Sequence, residues 1–131
     1  MLRTLMKSKL HRAVVTDANI NYMGSITLDP ELMAAADLLP HERVQVVDVD
    51  NGNRLETYVI AGTPGAGEVC LNGAAARLVA RGDRVIVISY ATYTEEEARA
   101  HIPVVVMCDE RNRPVNTGPE RAGTTPADAA A

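Results

Sequence analysis

Short runs in which apolar and polar residues alternate dominate the chain, and a two-residue period belongs to strands with one buried face. Leu2 to Thr16 is rich in β-branched and long side chains without helix punctuation, which predicts one strand or two, with Lys7 and Lys9 on the same face. Asp17-Ala18-Asn19 predicts a turn and Tyr22 to Leu28 an extended segment. The period then changes. Asp29 as cap, Pro30 in the first helical position and Glu31 in the first turn open a helix expected to end near Leu39, before Pro40. Leu32, Ala35, Ala36 and Leu39 form its packing face.

Alternation resumes from Val44 to Val49, and Asp50-Asn51-Gly52-Asn53 is a hairpin signal before a strand from Arg54 to Ile60. That strand presents Arg54, Glu56 and Tyr58 on one face and Leu55, Thr57 and Val59 on the other. Gly62 to Gly67 lacks the Lys-Ser/Thr ending of a phosphate-binding loop and predicts a linker. A short strand from Glu68 to Leu71 leads through Asn72 and Gly73 into a short helix ending near Val79. Arg84 to Ser89 is a strand, Thr94 with three following glutamates opens a helix that stops before Pro103, and Pro103 to Asp109 is a last buried strand. Three adjacent glutamates at a helix start match the dipole and solvent, so no metal is expected there. Many short strands with short helices favour a small barrel over a sandwich.

At 131 residues the chain predicts one domain. Its residues are 47% hydrophobic but only 3% aromatic, with neither Trp nor Phe, so the core must consist of aliphatic side chains. Some of the four tyrosines are then kept for their hydroxyls, while Tyr90 and Tyr93 fit either a packing or a polar role. A net charge of −4 with scattered basic residues argues against nucleic acid and anionic membrane as partners. No apolar run approaches the ~20 residues of a membrane span, and no secretory leader is recognisable, so a cytoplasmic location is expected. Cys70 and Cys108 lack a paired spacing and read as buried thiols. From Asn116 to Ala131 few large apolar groups occur, and a disordered tail is expected.

Lys7 and Lys9 are the sole lysines, which leaves a pyridoxal cofactor only two attachment points. A reactive carbonyl made from the chain itself would remove that need. Gly24-Ser25 has the parts for one: an unhindered carbonyl followed by a hydroxyl. With a proton acceptor and an oxyanion donor nearby, Ser25 Oγ can add to the Gly24 carbonyl, and elimination then breaks the chain. Taken alone, so common a dipeptide is better explained by an ordinary turn.

The context decides between these. Lys9-Leu10-His11-Arg12-Ala13, Asn21-Tyr22-Met23-Gly24-Ser25-Ile26-Thr27-Leu28-Asp29, Asn51-Gly52-Asn53-Arg54-Leu55-Glu56-Thr57-Tyr58-Val59-Ile60 and Leu71-Asn72-Gly73-Ala74-Ala75-Ala76-Arg77 follow one another in a family's order. From about Met1 to Val115 the chain resembles the aspartate 1-decarboxylases, self-processing enzymes that make β-alanine for pantothenate and coenzyme A synthesis. The resemblance implies a double-psi β-barrel spanning 1–115, assembled as a homotetramer with active sites between subunits. It implies cleavage at Gly24-Ser25 into 1–24 and a chain starting at 25, with Ser25 becoming a pyruvoyl cofactor that forms a Schiff base with L-aspartate. Tyr58 would be the proton donor, and Lys9 and Arg54 would bind carboxylates. Thr57, Asn72, Gly73, Ala74 and Ala75 would contact substrate, with His11 and Tyr22 supporting processing or positioning. Neither pyridoxal nor a metal is implied.

Thr57 and Tyr58 alternate along one strand, so their joint use demands a bulge or a site touched from both faces. Some relatives mature with a coenzyme-A-binding helper protein and others without one. Two other classes compete with the enzyme. An uncleaved barrel could serve as a binding or assembly module, and a hydrolase could use Ser25 with His11, His41 or His101, although no Gly-x-Ser-x-Gly elbow is present.

Overall fold

A computed structural model describes residues 1–120 and residue 122. Its elements are β1 (Leu2–Val14), β2 (Asp17–Asn19), β3 (Ser25–Leu28), α1 (Pro30–Ala35), β4 (Arg43–Asp48), β5 (Arg54–Ala61), β6 (Val69–Asn72), a 3₁₀ turn (Gly73–Arg77), β7 (Arg84–Thr94), α2 (Glu95–Ala100), β8 (Val104–Cys108) and β9 (Pro114–Gly118). One sheet holds the strands in the order β2-β6-β3-β5-β4-β7-β1-β8-β9. Neighbours are parallel at β1–β8, β2–β6 and β3–β5 and antiparallel elsewhere. This mainly β architecture is consistent with the expected double-psi barrel.

The core is aliphatic, as the composition requires. Leu10, Ile26, Leu28, Leu32, Val44, Val46, Val59, Val69, Leu71, Val85 and Val87 are fully buried, each contributing roughly 1.5–3 kcal/mol of transfer free energy. Thr94 and Glu97 complete a capping box at α2, as its acid-first opening predicts. Cys70 and Cys108 are both free thiols, but Cys70 is only half-buried.

Several local expectations are corrected. Asp17–Asn19 is not a turn but a strand, recruited by parallel pairing with Cys70–Asn72. Helix α1 stops at Ala35, well before Leu39, and Asp37 takes φ +54 just beyond it. Its buried residues are Leu32 and Met33, with Ala36 and Leu38 just beyond, while Leu39 is 66% exposed. Strand β7 continues to Thr94, past the expected end at Ser89, because β1 pairs with it out to Leu2↔Thr94. Asn116 to Gly118 belong to β9 on the edge of β8, so the expected tail starts inside the sheet. Residues 121 and 123–131 of that tail lie outside the described residues.

Candidate active site

Ser25 begins β3 and pairs with Asn72 on β6, while Thr27 pairs with Cys70. Ile26, Leu28, Val69 and Leu71 take the alternate positions and are fully buried in the core. Ser25, Thr27, Cys70 and Asn72 therefore share the opposite, polar face of this ladder. Ser25 is nevertheless only 1% exposed and Asn72 3%. The Asn72 amide nitrogen donates to Ser25 Oγ at 2.9 Å and to Thr27 Oγ1 at 3.0 Å, and its oxygen accepts from Cys70 Sγ at 3.2 Å. Burial, then the charges of Asp17 and Glu68, hold the Cys70 thiol above its ordinary value, which keeps it a donor.

Gly73 follows at φ +66, and a Cβ there would lie 2.7 Å from Gly24 Cα and 3.0 Å from Tyr22 O. The chain on either side of the Gly24-Ser25 bond thus packs directly on a position that only glycine can fill. Gly24 itself has ordinary φ, and a Cβ on it would meet nothing within 4 Å. Ala75 is half-buried and Ala74 exposed in the 3₁₀ turn that Gly73 opens. Ile20, Tyr22 and Met23, upstream of the bond, are all exposed.

Strands β3 and β5 run parallel from the pair Ile26–Val59, which Ser25 and Tyr58 each precede by one residue in their own strands. Ile26 and Val59 are both buried, so Tyr58 stands on the Ser25 side and is 40% exposed. Thr57 alternates to the other side. The register of β5 with β4 is continuous from Arg54 to Tyr58, so no bulge reconciles the two. Arg54 shares the Tyr58 face but lies four residues away, roughly 13 Å along the strand, and donates to Gln45 Oε1 at 3.3 Å.

Lys9 is not brought to Ser25 along the sheet of one chain, since β1 is four strands from β3. Its ammonium holds the Glu120 carboxylate at 2.6 Å. Lys7, at a register shift in β1, instead binds the Asp37 carbonyl and Glu42 Oε2, the latter at 2.9 Å. The two lysines thus serve different partners. His11 lies within a second register shift in β1, beside Arg12 at φ +63, and its Nδ1 is buried without a hydrogen-bond partner among the described residues. Burial, then Lys9 and Arg12, lowers its basicity, which favours the neutral ring able to accept a proton.

Sequence reasoning missed Thr27, Cys70 and Glu120 as neighbours of these groups. The pairing of β3 with β6, which has no local signature, is what assembles the first two. It also missed the convergence of Asp48, Asp50 and Asp83, whose carboxylate oxygens lie within 4.8 Å of one another.

The aspartate decarboxylase family profile matches residues 1–115. The aspartate 1-decarboxylase of Pelotomaculum thermopropionicum is 58% identical over 96% of this chain and 100% of its own length. The protein of that name from Desulfitobacterium hafniense is 59% identical over 92% of this chain and 94% of its own. That from Acetivibrio thermocellus is 60% identical over 88% and 92%. Taken with the motif blocks and the mainly β fold, these matches mean that the chain belongs to the aspartate decarboxylase family.

Proposed function

We propose that the chain cleaves itself between Gly24 and Ser25 and then, as a pyruvoyl enzyme, decarboxylates L-aspartate at its α-carboxylate to β-alanine and CO2. The observation that carries this reading is the buried Ser25 hydroxyl, adjacent to the Gly24 carbonyl in the chain and receiving the Asn72 N–H at 2.9 Å. The residues present fit a group formed at this position. Gly73 leaves room against Gly24 that a Cβ would fill, and Ser25 and Tyr58 each precede the paired Ile26 and Val59 by one residue. A pyruvoyl group supplies a ketone for the substrate amine and a sink for the electrons left when CO2 departs.

The protein's side chains do the rest. The Tyr58 hydroxyl delivers a proton to the carbon that lost CO2. Lys9 and Arg54 hold carboxylates, and the existing grip of Lys9 on Glu120 supports that assignment. Thr57, Asn72, Gly73, Ala74 and Ala75 contact the substrate, while His11 and Tyr22 support processing. The separation of Lys9 and Arg54 from Ser25 along the sheet favours a homotetramer whose sites lie between subunits, as do the exposed Ile20, Tyr22, Met23 and Tyr58. β-Alanine made in the cytoplasm would feed pantothenate and coenzyme A synthesis.

Denaturing intact-mass spectrometry, with borohydride trapping in the presence of L-aspartate, tests the reading. Two fragments split at Gly24/Ser25 are expected, the larger carrying a reduced substrate adduct. Ser25→Ala should stay whole and inactive, and Tyr58→Phe should cleave yet lose about a hundredfold or more in kcat. One uncleaved mass without adduct, before and after warm incubation with cell lysate to supply any maturation factor, would sink the proposal.

A further inference from the structure

The Asn72 amide is held from two sides besides Ser25. Each of its two N–H groups has one acceptor, Ser25 Oγ at 2.9 Å and Thr27 Oγ1 at 3.0 Å, while the Cys70 thiol donates to its oxygen at 3.2 Å. Asn72 is 3% exposed, so water does not compete for these positions. Turning the amide over would set its nitrogen against sulfur, a weak acceptor. Thr27 and Cys70 are paired across the ladder two positions from the Ser25–Asn72 pair, on the same face, which fixes all four groups together.

We infer that Thr27 and Cys70 are positioning residues for self-cleavage, locking the Asn72 amide so that its N–H is delivered to Ser25 Oγ. The inference rests on the proposed self-cleavage. In the first step Oγ bonds to the Gly24 carbonyl carbon, the Gly24-Ser25 C–N bond breaks, and the hydroxyl proton ends on the freed nitrogen, leaving an ester. In the second, the Ser25 Cα proton is lost, Cα=Cβ forms, and the Cβ–Oγ bond breaks with Oγ leaving as part of the Gly24 carboxylate. Negative charge grows on Oγ as it leaves, and a fixed donor there lowers that barrier. Water then replaces the amine of the resulting dehydroalanine, and ammonia departs.

Without the Thr27 hydroxyl a buried N–H loses its acceptor, and the amide gains by turning away from Ser25. In a time course by intact mass, Thr27→Val should cleave about tenfold more slowly, the factor that corresponds to one hydrogen bond's net worth. It should also accumulate the ester, which hydroxylamine traps as the Gly24 hydroxamate. Thr27→Ser should restore the rate and remove the trapped species, an outcome that a merely structural role does not produce. If Thr27→Val fails to fold, Cys70→Ala must show the same slowing and ester build-up from the other side of the amide. Cleavage at the parent rate, or slowing without trapped ester, overturns the inference. A parent chain that never cleaves refutes the underlying self-cleavage reading instead.

Discussion

At the scale of single residues, the glycine that matters for backbone geometry is not the one at the proposed cleavage bond. Gly24 offers an unhindered carbonyl, yet it has no positive φ and a Cβ on it would meet nothing within 4 Å. Gly73 carries both constraints, a positive φ and a contact of 2.7 Å between its would-be Cβ and Gly24 Cα. Gly73→Ala should therefore push the 22–24 segment off its seat. The expected outcome is cleavage slowed at least about tenfold and stability lowered by roughly 1–3 kcal/mol from the strained φ alone. Gly24→Ala should melt within a few degrees of the parent. Melting temperature and intact mass check both, and a Gly73→Ala protein matching the parent in each would refute the argument. The motif block named Gly73 from the sequence, but its reason lies across the β3–β6 ladder, where periodicity has no reach.

At the scale of elements, local chemistry was legible and element length was not. Asp29 and Pro30 mark the start of α1 correctly, and the Asp29 side chain accepts from Glu31 N at 2.8 Å. The same carboxylate also accepts from Gly65 N at 3.2 Å and Gly67 N at 2.8 Å, so one cap ties β3, the helix and the glycine-rich loop together. That loop was legible only as a linker, because its partner is distant in sequence. The early stop of α1 follows from its surroundings. Leu38 turns inward and Leu38 N bonds to Met33 O at 2.8 Å, an arrangement that a further regular turn would break.

The Asp29 carboxyl is driven upward by burial, but the N–H groups of Glu31, Gly67 and Gly65, with the Arg113 charge, outweigh that and hold it below the ordinary 3.8. A depressed folded-state value means stability present above the unfolded value and lost as pH falls through the folded one. Asp29→Ala should cost about 3 kcal/mol at neutral pH, from one cap and two charge-assisted loop bonds. Its deficit should narrow as pH drops below the ordinary carboxylate range. Urea melts at neutral and acid pH measure this, and an undiminished deficit in acid would contradict it.

At the scale of the whole molecule, what the sequence withheld is which strands become neighbours. Arg54, Thr57 and Tyr58 sit close together in the motif, yet alternation and a continuous β4–β5 register keep Thr57 apart from the other two within one chain. Asp48 and Asp50, two residues apart, meet the distant Asp83 where the β4–β5 hairpin approaches the entry to β7. Asp48 Oδ1 accepts from Asp50 N and Asn51 N, Asp50 Oδ2 from Arg84 N, and Asp83 Oδ2 from Ala80 N. Asp48 Oδ2 is buried with no donor among the described residues, and the Asp48 carboxyl faces Asp83, a contact that becomes a hydrogen bond only when one carboxyl holds a proton. Burial first, and the Asp83 carboxyl second, raise Asp48 above its ordinary 3.8. A raised folded value reverses the sign found for Asp29: the stability it contributes is complete below about 3.8 and is lost as pH rises through the folded value. Asp48→Asn keeps the acceptor for the hairpin and gives Asp83 a permanent donor without a buried charge. The gain should be about 1–2 kcal/mol at pH 7, or roughly 3–8 °C in Tm, and should vanish near pH 3.8, where Asp48 carries its own proton. Thermal melts of both proteins across that range decide it, since a variant no more stable than the parent at pH 7 would mean that the aspartate pair costs the fold nothing.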